Sequence, residues 1–371
     1  MEDQEEQAPL YGDLLDTVLS HVSLLDLVPA SYVSKTWQRA VYSSIRSPTR
    51  AKPWLVLHIQ SPRNPSATST HAYDPHSHVW IRIPHVPVPH SSIIRSSHSN
   101  LLYMHSLSRL SLSRDALKTT WEDISAPRVW RLDPVIAVVG SHVVVAGGTC
   151  DFEDEPLAVE LYDAASRTWR TCQPMPAIFK NSASATWLST AVDDKKMYVL
   201  EKTNGGFCSF DPETETWGPT SNLCPNPSVF FSTIEFSGHR LMLFGLVGHP
   251  TNVETLSIWE VKCDTFECTE IGKMPPAMLE KLMDADSRLS SIGVSSTADF
   301  TYIYNPSDPK EIFCCDFSTG VCSWDTVRNS VIDDRNWMNR FTFTCSTVDI
   351  DALREIFCSG SGNFPSNFAG N

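Results

Sequence analysis

Apolar residues recur at helical spacing only near the start of this chain. Leu14, Leu15, Val18, Leu19 and Val22 fall three and four positions apart, and Asp13 is placed to cap the helix they predict. Ser23-Leu24-Leu25-Asp26 has the form of a capping box and predicts a second, short helix that Pro29 limits. Val33, Trp37, Ala40 and Val41 share one face of a third. Beyond residue 53 the pattern changes. Short apolar runs at 54–59, 143–146, 197–200 and 241–244, parted by polar turns rich in Pro and Ser, predict strands.

The strands come in a repeat. Its clearest copy is Ser209-Phe210-Asp211-Pro212-Glu213-Thr214-Glu215-Thr216-Trp217: an aromatic residue, then Asp, with Trp seven positions after the aromatic. Tyr73-Asp74 with Trp80 and Tyr162-Asp163 with Trp169 keep this spacing, and Asp115 with Trp121 keeps its second half. Two weaker copies run from Val261 to Cys268 and from Cys315-Asp316 to Cys322, with sulfur in the Trp position. The Trp positions lie 41, 48, 48, 51 and 54 residues apart, the period of one supersecondary unit used six times. An Asp that opens a turn accepts a hydrogen bond from the backbone N–H two residues on, and Pro75 and Pro212 pre-set φ at the next position. Each copy is therefore a hairpin whose ring wedges between neighbouring units. Six such units of four short strands describe a six-bladed propeller.

The final alternating run, 340–345, is expected to pair with residues 54–59 and close the ring with chain from both ends. Residues 275–284 read as a helix between blades five and six, either a cap over one propeller face or part of a binding rim. Domain organisation follows: residues 1–50 a helical module with its core at about 10–46, residues 51–360 the propeller, and residues 361–371 a flexible tail.

Composition narrows the function. A net charge of −14 argues against a nucleic-acid surface, although the charge is about −3 over residues 1–50, +4 over 51–133 and −15 over the rest. Eleven Cys with no C-x-x-C pair fit reduced thiols in the cytoplasm or nucleus; six of them (208, 263, 268, 314, 315 and 322) lie in or beside strands, as small hydrophobes. No segment is suited to span a membrane.

Catalytic and metal chemistry find little support. Eight of the twelve His lie between 58 and 105, including His76-x-His78, and read as solvated loop residues rather than ligands. Gly147-Gly148 and Gly205-Gly206 precede no helix and so are not phosphate loops. No nucleophile–base set is found, and no cofactor or metal is expected.

Two parts of the chain carry a family resemblance. The run Leu10, Asp13, Leu14, Leu15, Val18, Leu19, then Leu25 and Leu27, then Val33-Ser34-Lys35-x-Trp37, resembles an F-box, with Tyr11 in place of the usual Pro and Val22 in place of Leu. Gly147-Gly148 matches the kelch di-glycine, where small residues allow close backbone approach, whereas Glu201-Lys202 and Gly245-Leu246 stand there in other blades. Over roughly residues 9–345 the chain resembles the plant F-box/kelch-repeat family. That resemblance implies a substrate receptor of a cullin–RING ubiquitin ligase, without catalysis of its own. Leu10, Leu14, Val18, Leu19, Val33 and Trp37 would dock a Skp-type adaptor and, through it, a cullin. Propeller loops not identifiable from the sequence would bind the target protein, for which some family members suggest an enzyme of phenylpropanoid or flavonoid synthesis. A kelch scaffold without ubiquitin transfer, and a propeller hydrolase or oxidase, are the alternatives. The Asp-box of sialidases is similar to Ser209-x-Asp211 ahead of Trp217, but one residue shorter.

Overall fold

In blades one, three and four the Asp-to-Trp hairpin forms as the sequence predicts, by the same device each time. In a computed structural model of the protein, residues 12–45, 52–84, 88, 91–98, 100–117, 120–148, 155–283, 288–333, 335–336 and 338–358 are described; Leu10 and the tail expected at 361–371 lie outside them. The carboxylates of Asp74, Asp163 and Asp211 accept from the backbone N–H of His76, Ala165 and Glu213 at 2.9, 2.9 and 3.0 Å. Two residues before each Trp, His78, Arg167 and Glu215 adopt φ of 57, 55 and 57°, a left-handed turn position that brings the ring back onto its partner. Tyr73 then pairs with Trp80, Tyr162 with Trp169 and Phe210 with Trp217 across the strands, their ring centroids 5.4, 5.2 and 5.0 Å apart.

Three helices come first: α1 (Asp13–Ser20), α2 (Leu24–Ala30) and α3 (Lys35–Ile45). Asp13 does not cap α1. Gly12 holds that position at φ 63° and contributes no side-chain bond. The capping box forms as expected, Ser23 Oγ accepting from Asp26 N at 3.2 Å and donating to its carboxylate at 2.8 Å. In the order met along the chain, blade one begins with β1 (Trp54–Gln60), β2 (Thr68–Asp74) and β3 (Val79–Ile83). Blade two is β4 (Arg95–His98), β5 (Leu101–His105), β6 (Arg109–Ser113) and β7 (Glu122–Ser125). Blade three is β8 (Val135–Val139), β9 (His142–Ala146), β10 (Val159–Asp163) and β11 (Thr168–Cys172). Blade four is β12 (Leu188–Val192), β13 (Met197–Glu201), β14 (Gly206–Asp211) and β15 (Thr216–Trp217), with β16 (Ser221–Asn222) also on β14. Blade five is β17 (Val229–Ser237), β18 (Arg240–His249), β19 (Asn252–Val261) and β20 (Cys268–Lys273). After α4 (Pro276–Leu282), blade six is β21 (Gly293–Thr297), β22 (Phe300–Tyr304), β23 (Glu311–Asp316) and β24 (Ser323–Arg328).

The ring closes as the alternation predicts. Strand β25 (Arg340–Ser346) returns to blade one and pairs antiparallel with β1 from Trp54↔Ser346 to Gln60↔Arg340, giving the order β25-β1-β2-β3. The Trp side chains then pin one blade to the one before. Trp80 Nε1 donates to the Arg328 carbonyl of blade six at 3.2 Å, Trp169 Nε1 to the Ser125 carbonyl of blade two at 3.0 Å, and Trp217 Nε1 to the Gln173 carbonyl after blade three at 3.1 Å. Trp121, just ahead of β7, is half-buried between blade two and the helical module.

Three expectations need correction. The sixth repeat places Trp324, not Cys322, opposite Cys315, because its hairpin is longer. Cys263 is exposed rather than packed among the strands. Four histidines of blades one and two are not loop residues: His58, His71, His98 and His105 sit on β1, β2, β4 and β5, whereas His76 and His78 are exposed in the turn between β2 and β3, as expected. His58 is 1% exposed, its Nδ1 3.1 Å from Thr70 Oγ1, and burial, helped by His71, pushes it down to about 3. A neutral buried imidazole makes the fold acid-sensitive. Below the ordinary value near 6.5 the unfolded chain takes up a proton that folded His58 refuses, so stability falls as pH drops through 6.5 toward 3. At pH 5 this one residue is expected to cost about 2 kcal/mol, seen as a lower urea midpoint than at pH 7.5. In His58→Gln the midpoint should fall less over that interval, and an equal fall in both proteins would refute the assignment.

A helix with no counterpart among the predicted elements follows the last strand. Helix α5 (Ile350–Cys358) packs against α2, burying Ile350 and Leu353 in one cluster with Leu27, Val28, Val41 and Trp54. Asp351 accepts from Tyr42 Oη at 2.7 Å. Arg354 donates to Tyr42 Oη at 2.9 Å and to Ser31 Oγ at 3.2 Å, with its guanidinium 5.0 Å from the Tyr32 ring centre. The two ends of the chain thus build both the closing blade and the seat of the helical module.

Candidate protein-docking surfaces at the two ends of the propeller

Strand direction sorts the loops into two faces. Strand β1 starts beside the module, with Trp54 near Leu24, and ends at Gln60 on the opposite face. Each innermost strand therefore runs from that far face toward the module face, and the loops between blades lie on the far face.

Large apolar side chains left exposed concentrate in two places. On the module they are Leu14 at 58%, Val18 at 42%, Tyr32 at 59% and Val33 at 62%. Leu14 and Val18 lie four residues apart on one side of α1, while Leu15 and Leu19 turn inward and are buried. Leu19, expected at a partner surface, is 2% exposed and belongs to the core of the module. Trp37 is half-buried against that core, its backbone N–H bonded to Ser34 Oγ at 3.2 Å. Of the expected docking residues the structure leaves Leu14, Val18 and Val33 open, and Leu10 lies outside the described residues.

The second set was not legible in the sequence. Leu107, Leu132, Ile178, Trp187 and Met338 are all exposed, between 44 and 77%, and all sit on loops of the far face. They are scattered over four connecting segments of chain, Ile178 and Trp187 sharing the one between β11 and β12, with no shared motif, and only the strand directions bring them to one side. Helix α4 lies on the same face, over blades five and six. Its Leu279 and Leu282 are buried in the blade core, and the Leu282 carbonyl accepts from Asn305 Nδ2 at 3.1 Å.

Blade three shows why the di-glycine is needed. Gly147 and Gly148 have φ of 66 and 87°, and a Cβ on Gly147 would lie 2.7 Å from the Ala183 carbonyl oxygen, closer than any real contact. Glu201, which stands there in blade four, is buried and accepts from Thr203 N at 2.9 Å, closing its turn with a carboxylate instead. Arg131, 1% exposed, donates to the Gly147 carbonyl at 3.3 Å and lies 3.8 Å from Glu160, itself held by the N–H of Arg128 and Val129.

Two thiols beside the repeat hairpins are pushed away from reactivity. Burial pushes the Cys208 thiol up to about 11 and, with Glu215 nearby, the Cys172 thiol up to about 12, away from the nucleophilic thiolate. Among the described residues, no group of three or more His, Cys, Asp or Glu is placed to hold a metal ion. Nor is any helix among them long and apolar enough to cross a membrane.

Comparison with known proteins agrees with both halves of the architecture. No family model matches the chain. An F-box/kelch-repeat protein of Arabidopsis thaliana is 41% identical over 373 residues, covering 95% of this chain and 93% of that protein. A second F-box/kelch-repeat protein of Arabidopsis thaliana is 29% identical over 124 residues, 32% of this chain and 42% of that one. The solved structure of YjhT overlays with a TM-score of 0.40 at 11% identity, over 56% of this chain and 67% of the other, too slight a likeness to support an argument. With a full-length relative at that identity, and a helical module ahead of six kelch-type blades, this chain belongs to the F-box/kelch-repeat family.

Proposed function

We propose that this chain is the substrate-recognition subunit of an SCF-type ubiquitin ligase. The module docks a Skp-type adaptor through Leu14, Val18 and Val33, with Trp37 behind them and Leu10 ahead, and so reaches a cullin. The far face of the propeller holds a target protein for ubiquitination and degradation. The chain supplies proximity rather than chemistry, so it needs no catalytic residue or cofactor. Its site of action is the cytoplasm or nucleus, and an enzyme of phenylpropanoid or flavonoid synthesis is the first target class to test.

The observation that carries this reading is the separation of two exposed apolar sets, one on the module and one on the far face. A protein that only binds one partner has no use for both. Its rigid connection through α5 would hold a captured target at a fixed distance from the adaptor. Co-expression with a plant Skp-type adaptor is expected to give a stable 1:1 complex. From plant extract, the complex should retain cullin and a protein whose abundance rises on proteasome inhibition. A chain that purifies without adaptor would refute the reading.

A further inference from the structure

The far face contains a cleft of 370 Å³ between blades one, two and three, beside the mouth of the central channel. One wall is apolar and flat. His105 stacks on Trp130 with centroids 4.4 Å apart, and Pro62, Pro65 and Leu132 continue the surface. The other wall is cationic, with Arg95 and Arg340.

Charge bookkeeping at this cleft is one-sided. Among the described residues that line it, Asp133 is the sole carboxylate, and its acceptors are already committed. One oxygen pairs with Arg95; the other accepts from Thr186 N at 2.8 Å and Thr186 Oγ1 at 2.6 Å. Arg131 is buried, 3.8 Å from Glu160. Arg340 is different. It is exposed at the start of β25, and among the described residues no acceptor meets its guanidinium. In a chain of net charge −14, a cleft with an uncommitted arginine beside an aromatic and proline wall is a local exception. Its volume falls in the range of sites that take a few side chains of a ligand.

We infer that this cleft receives an acidic peptide segment of the target protein. An Asp or Glu carboxylate would meet Arg340 in a fork-to-fork pair, with Arg95 adding long-range attraction. An adjacent aromatic or aliphatic side chain would lie on the Trp130–His105 stack and the prolines. Met338, exposed two residues ahead of Arg340 in the chain, offers a further apolar contact. The inference rests on the proposed receptor role only in calling the peptide a target's.

The test pans a phage-displayed random dodecapeptide library on the immobilised full chain, then measures a synthetic copy of the most enriched peptide by fluorescence anisotropy. Enriched sequences are expected to carry Asp or Glu next to an aromatic or large aliphatic residue. Arg340→Glu should lower the affinity of that peptide at least ten-fold, and Arg340→Lys should restore part of it. Equal melting temperatures for the three proteins exclude misfolding, and Arg340→Gln replaces the Glu variant if its melting temperature drops. Peptides without acidic excess, no enrichment at all, or unchanged affinity in the charge-reversed protein would each overturn the inference. Adaptor co-purification, read on the same preparations, uses the other end of the molecule, so failure of the receptor role and failure of the cleft are separate results.

Discussion

Deleting residues 340–371 is expected to abolish the cooperative melting transition. Strand β25 is the innermost strand of blade one, in register with all seven residues of β1. Without it, β1 becomes an open edge facing the channel, lined by Leu55, Leu57 and Ile59, an invitation to pair with other chains. The deletion also removes the buried side chains of Phe343, Thr344, Cys345, Ile350 and Leu353. At about 2 kcal/mol for each large apolar group, the lost burial alone approaches the ~5–15 kcal/mol of net stability typical of a domain. Differential scanning calorimetry should show aggregation or a broad non-cooperative signal. A variant ending at 347 keeps β25 but loses α5, and should retain the propeller transition while the module becomes cleavable by protease near residue 50. An unchanged melting curve for the longer deletion would show that the ring is not closed by its last strand.

Charge on the open face of the module should destroy adaptor binding without unfolding anything. In the variant Leu14→Glu, Val18→Glu, Val33→Glu, all three substituted side chains are at least 42% exposed, so their change should shift the melting temperature by only about 2 °C. Each buried apolar anchor of an interface contributes on the order of 2 kcal/mol, so the loss of three corresponds to roughly ten-thousand-fold in Kd. Leu15→Ala with Leu19→Ala is the contrasting pair. Both residues are buried in the module, at 0 and 2% exposure, and truncation there is expected to cost several kcal/mol by opening cavities. Surface plasmon resonance against a Skp-type adaptor separates the cases: the charged variant folds and does not bind, the cavity variant loses the fold of the module. Binding retained by the charged variant would move the adaptor site elsewhere.

What could be read in the sequence was local. The Asp turn, the left-handed residue before Trp and the cross-strand aromatic pair all fall within eight residues, so their spacing alone specifies the hairpin. The position of β25 was legible for a second reason: an alternating strand left over after six units has one empty place to go. Contacts between distant segments were not legible. Helix α5 is short, and its role depends on Arg354 meeting Ser31 and Tyr42, more than three hundred positions away. In the sixth repeat, the Trp324 register depends on a longer loop that a fixed spacing of seven misses. Leu19 shows a finer limit. Periodicity puts it on an apolar helix, but α1 has two apolar sides, and only packing decides that Leu15 and Leu19 face in while Leu14 and Val18 face out. His71 and His98 were misplaced because a polar, Ser-rich composition hides strands β2 and β4, whose side chains are largely Thr, Ser and His. The far-face apolar set has no sequence signature, since its members are spread over four separate connections with no common spacing.

The most direct measurement is hydrogen–deuterium exchange of the full chain with and without a Skp-type adaptor. If the module is the docking end and the far face is kept for a target, adaptor should protect the backbone of residues 13–37 and leave the loops holding Leu132, Trp187 and Met338 exchanging at their free rates. Protection of those far-face loops instead, or no protection in α1, would contradict the two-ended receptor.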